Sequence, residues 1–132
     1  MINQDEGNKR LLLLASILDT ADQLHGQRGE PTYDQQRMTH PCGTPACALG
    51  HWAEARRDLW TIDVSLGAPL YVHRQTQTYG YVEGAVEDFA LTEDDAEELF
   101  GEKGCGGAKT AMQASAYIRE FVRKRQEGPC HG

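Results

Sequence analysis

Apolar residues recur along this chain in short blocks with helical spacing, separated by polar and glycine-rich stretches. Leu11, Leu14, Leu18 and Ala21 fall on one stripe, with Leu13, Ile17 and Leu24 beside it, which predicts a core helix over residues 8–25. Gly26 stands where a helix commonly stops. Residues 27–40 are polar and aperiodic and read as a loop, with Tyr33 and Met38 as inward anchors. A second helix starts sharply at Thr44, a good N-cap, followed by Pro45 at the favoured first helical position, and ends between Arg57 and Trp60. Residues 62–69 read as a turn-rich connection. Residues 70–73 and 78–82 have strand composition and predict a short β-hairpin turning through residues 74–77.

The remaining length is helical again. Residues 84–89 form a short helix. Thr92 caps the next one, with Asp95 three residues on in a capping-box arrangement and Glu93, Asp94 and Asp95 in the first turn, where the helix dipole favours negative charge. Leu91, Ala96, Leu99 and Phe100 point inward, and Gly101 stops that helix. After the glycine-rich loop of residues 102–107, Ala111, Ala114, Tyr117, Ile118, Phe121 and Val122 keep helical spacing over residues 110–125, and Arg123, Lys124 and Arg125 suit its final turn. Residues 126–132 are expected to form a flexible tail. The sum is a mainly α, α+β single domain of about five helices and one hairpin, spanning residues 1–132, without repeats or a linker.

At 132 residues the chain is long enough to bury a core without metal or disulfide staples. Its 20 acids against 13 bases give a net charge of −7. That charge argues against nucleic acid and anionic lipid as partners and for a basic protein surface. The leucine run at residues 11–14 has Asp5 and Glu6 before it and Asp19 and Asp22 soon after it, so it reads as a buried helix and not as a secretory signal. No run approaches the ~20 apolar residues of a membrane span. Four irregularly spaced cysteines, Cys42, Cys47, Cys105 and Cys130, do not make a disulfide scaffold. A cytoplasmic location with free thiols is the expectation.

Three readings compete for the segment around Cys42, Cys47 and His51. In the first, Cys47 packs as a small hydrophobe in a tight helix start, and Gly43 and Gly50 serve a turn and a close helix crossing. In the second, Cys42, Cys47 and His51 bind zinc, since Cys47 and His51 share one helical face, with His40, Cys105 or Cys130 as a fourth ligand. The four-residue gap and the missing second cysteine pair oppose that reading. In the third, Cys47 near a helix N-terminus is a reactive thiolate with Cys42 as its resolving partner, although the spacing is not Cys-x-x-Cys. The packing reading is adopted, with no cofactor expected. No nucleotide loop, dinucleotide fingerprint or HExxH motif is present, and no acid–base pair stands out, so no enzymatic activity is expected.

A sharper feature is the acidic stretch from Gln75 to Glu102. It contains nine acids and neither lysine nor arginine. Glu87, Asp88, Glu93, Asp94, Glu97 and Glu98 are the candidate partner-binding residues, as a negative surface for docking on a basic groove.

The run Cys42-Gly43-Thr44-Pro45-Ala46-Cys47-Ala48-Leu49-Gly50 resembles a motif of small uncharacterised proteins of bacteria, phages and prophages, in which a Cys-Gly-Thr-x-x-Cys start is followed by Ala, a variable residue and Gly. The likeness extends to the leucine-rich first helix, to Phe89-Ala90-Leu91-Thr92 with Ala96, Leu99 and Phe100, and to the closing helix around Ile118 and Val122. The place of His51 varies in that family and is often tryptophan. The Cys105 loop and the Cys130-His131 tail depart from it. The resemblance implies a fold and a phage or bacterial origin, but no reaction. The expected function is a non-enzymatic binding or regulatory protein that engages a host protein, for instance as an inhibitor of a nucleic-acid-processing defence complex.

Overall fold

The computed structural model describes residues 2–28, 48–63, 70–77, 81–100 and 110–127. They form five helices and a two-stranded antiparallel sheet in one small domain: α1 (Gln4–Arg28), α2 (Ala48–Ala55), β1 (Trp60–Asp63), β2 (Leu70–His73), α3 (Tyr81–Phe89), α4 (Glu93–Phe100) and α5 (Ala111–Glu127).

The long helix α1 begins earlier than the apolar stripe suggested, because Asn3 caps it: the Glu6 amide donates to Asn3 Oδ1 at 2.9 Å. It also runs past Gly26 to Arg28. One glycine costs a helix interior about 1 kcal/mol, too little to stop a helix of this length. The stripe of Leu11, Leu14, Leu18 and Ala21 is buried as its spacing requires, together with Ala15. Leu13 is 47% exposed and turns away from the core. Helix α5 lies antiparallel along α1: Arg119 pairs with Asp19 at 2.6 Å, and Arg125 donates to the Gln4 carbonyl at 3.3 Å. Ala111, Ala114, Ile118 and Val122 form its buried side. Thr110 Oγ1 caps it by accepting from the Gln113 amide at 3.1 Å. The helix includes Gln126 and Glu127, the first residues of the expected tail; residues 128–132 lie outside the described residues.

The sheet differs from its expected pairing. Strand β2 is at the expected position and pairs with Trp60–Asp63; of the expected second strand, residues 78–80 lie outside the described residues. Trp60 faces His73, and Ile62 faces Tyr71. The Arg74 amide extends the ladder by donating to the Leu59 carbonyl at 2.9 Å. Residues 74–77 then curl back through a Gln77 amide to His73 carbonyl bond of 2.8 Å, with Gln77 at φ 60°, and Tyr81 and Val82 already belong to α3. The β-branched and aromatic character of Trp60-Thr61-Ile62 carries the strand signal that the expected pairing passed over.

The α3–α4 corner is a tight helix stop. Ala90 adopts φ 54°, and the Leu91 amide donates to the Val86 carbonyl at 3.3 Å, the six-to-one bond of a Schellman motif. The Arg125 guanidinium reinforces it by donating to the carbonyls of Phe89 and Ala90 at 3.1 and 3.3 Å. An L-residue in this left-handed region costs roughly 1–2 kcal/mol, part of which glycine returns as unfolded-chain entropy. Ala90→Gly is therefore expected to raise stability by up to about 1 kcal/mol, read as a higher urea midpoint at unchanged slope; a lower midpoint contradicts the strain. Helix α4 starts at its expected cap, the Asp95 amide donating to Thr92 Oγ1 at 3.1 Å. Ala96, Leu99 and Phe100 are buried. Phe100 stacks on Phe89 at 5.4 Å between centroids, and Phe89 in turn meets Trp52 at 4.9 Å.

Candidate functional site

Two features collect polar chemistry. The first lies inside the domain. Asp88 sits on α3, one helical turn after Gly84 and between Ala85 and Phe89. It therefore points into the core and is only 3% exposed. Its carboxylate accepts from three ring N–H groups on three other elements. Trp52 Nε1 of α2 and Trp60 Nε1 of β1 donate to Oδ2 at 3.0 and 2.8 Å, and His73 Nε2 of β2 meets Oδ1 at 2.8 Å. Arg10 of α1 adds a fourth contact. Its Nη1 donates to the Asp88 carbonyl at 3.2 Å and stands 4.0 Å from Oδ1. Burying a carboxylate costs several kcal/mol. Charge-assisted bonds from indole and imidazole N–H groups offset that cost here.

The hydrogen bonds also fix the state of His73. The Thr76 amide donates to His73 Nδ1 at 3.2 Å. Nδ1 must then carry a lone pair, which leaves the proton on Nε2, directed at Asp88. Both ring nitrogens are occupied and the ring is 1% exposed, so neither faces solvent. The ring meets Trp60 edge-on at 4.9 Å. Two glycines let the parts close up. A Cβ on Gly84 would stand 2.5 Å from the Trp60 ring, and one on Gly7 would stand 2.1 Å from the Phe89 carbonyl oxygen. Arg56 lies over the Trp52 ring at 5.3 Å and is held by two bonds to Asp58, of 2.8 and 2.9 Å. Those bonds lower the Asp58 carboxyl below its ordinary range and raise the guanidinium.

The second feature is on the surface. Of the six acids assigned to a partner-binding face, Glu93, Asp94, Glu97 and Glu98 are exposed along α4, and Glu87 on α3 is half-buried. Asp88 does not belong with them. It lies on the inner face of α3 as the acceptor of the buried cluster, because residues 84, 85, 88 and 89 share the side of the helix that packs on Trp60 and Trp52. Tyr117 donates its hydroxyl to Glu98 at 2.8 Å. Beside this face a cleft of about 380 Å³ is lined by Gln4, Val86, Ala90, Leu91, Thr92, Asp95 and Arg125. Burial pulls the Arg125 guanidinium below its ordinary value, with the Asp95 charge acting in the opposite direction.

Comparison with protein-family models, with curated proteins and with solved structures finds no match to this chain.

The cysteine segment fares differently. Cys42, Cys47, Cys105, Cys130 and His40 lie outside the described residues, as do Thr44 and Pro45 at the expected start of α2. His51 is on α2 and is 5% exposed. Among the described residues no group of three or more His, Cys, Asp or Glu side chains is arranged to hold a metal ion, and no helix is long and apolar enough to cross a membrane. The Asp88 cluster was not foreseen from sequence. The available signal was an acid at a position of α3 whose helical neighbours, Gly84, Ala85 and Phe89, are all small or apolar.

Proposed function

We propose that the protein is a non-enzymatic binding module that offers the outer face of α4 to a basic surface on a protein partner. The observation that carries this reading is the division of α4 into two faces. Glu93, Asp94, Glu97 and Glu98 are exposed while Ala96, Leu99 and Phe100 are buried, so the backbone bearing the charges is seated by the core before any partner arrives. Among the described residues Glu93 and Asp94 have no polar partner of their own. A fixed array of one sign speeds encounter with a complementary surface and penalises partners of like charge. The net charge of −7 acts in the same direction and disfavours nucleic acid or anionic lipid as the direct ligand. Proteins that process nucleic acids carry basic grooves matched to phosphate. A phage product that occupies such a groove on a host complex is the concrete form of this proposal.

The test is a charge-reversal series on a partner captured from lysate of the host cell and then purified. The protein carrying Glu93→Lys, Asp94→Lys, Glu97→Lys and Glu98→Lys is titrated against that partner by calorimetry. Like-charge juxtaposition across an interface costs several kcal/mol, which corresponds to a loss of affinity of about 100-fold or more. The salt dependence of wild-type binding should be lost along with it. Circular dichroism on the variant verifies that it is folded. A folded variant that binds with wild-type affinity removes the α4 face from the interface.

A further inference from the structure

We draw no further inference here: the strongest candidate, the cleft between the start of α1, the α3–α4 corner and the last turns of α5, carries nothing, because the Arg125 guanidinium that lines it is already engaged by the carbonyls of Gln4, Phe89 and Ala90 and stands across from Asp95, so that its charges favour neither an anion nor a cation, and nothing in the structure shows what covers it.

Discussion

Replacing Asp88 by alanine is expected to cost about 3–5 kcal/mol of folding free energy, the range found when one partner of a buried charged network is removed. The loss is large because three N–H groups depend on one carboxylate. Without it Trp52 Nε1, Trp60 Nε1 and His73 Nε2 have no acceptor, and the three rings are between 0% and 1% exposed, so water does not replace it without opening the core. Arg10 is left as a cation beside an empty site. Domains of this size are stable by only about 5–15 kcal/mol, so the variant should unfold at much lower urea. Indole fluorescence reads the transition directly, because both tryptophans are in the cluster. Asp88→Asn separates shape from charge. Its carbonyl oxygen still serves the tryptophans, but its amide opposes the His73 Nε2–H, and a loss of about 2 kcal/mol is expected. A double-mutant cycle completes the assignment: Trp60→Phe should cost less beside Asp88→Ala than alone. An Asp88→Ala protein within about 1 kcal/mol of wild type would show that the cluster does not hold the fold together.

The second large effect comes from removing two absences of side chain. In an open helix, glycine to alanine stabilises by roughly 0.5–1 kcal/mol. At Gly7 and Gly84 the sign should reverse. The added methyl at Gly7 would meet the Phe89 carbonyl oxygen at 2.1 Å, and at Gly84 it would meet the Trp60 ring at 2.5 Å. Overpacking of this kind costs about 1–3 kcal/mol and sometimes more. Gly7→Ala is expected to be the worse of the two. Its obstacle is a backbone oxygen at the end of α3, already fixed by Arg125, and it has no rotamer to adopt. The Trp60 ring can tilt, but only by loosening its bond to Asp88. Thermal melts check both, with a fall of several degrees expected for each. A rise in melting temperature at Gly7 would mean that α1 and α3 are not in contact there.

Local patterns carried much of this architecture. The burial of Leu11, Leu14 and Leu18, the cap at Thr92, the inward set Ala96, Leu99 and Phe100, and the buried side of α5 all follow from spacing and capping chemistry within a few residues, and the structure places them as expected. The exposure of Glu93, Asp94, Glu97 and Glu98 follows in the same way, because the positions left over on an amphipathic helix are the ones facing water.

What local pattern left undecided needed partners distant in sequence. Strand β2 could have paired on either side, and the choice of Trp60–Asp63 places Trp60 and His73 beside α3, which no feature of residues 70–82 encodes. Asp88 looked like one more acid in an acidic stretch. Its burial depends on Trp52, Trp60 and His73, which lie 36, 28 and 15 residues away in the chain, and on Arg10, which lies 78 away. The helices and the charged face could thus be read from local pattern, since these depend on period, caps and the preference of carboxylates for water. Which carboxylate leaves water follows from packing alone, because a buried charge is tolerated where several donors converge, and that convergence is a property of the packed domain.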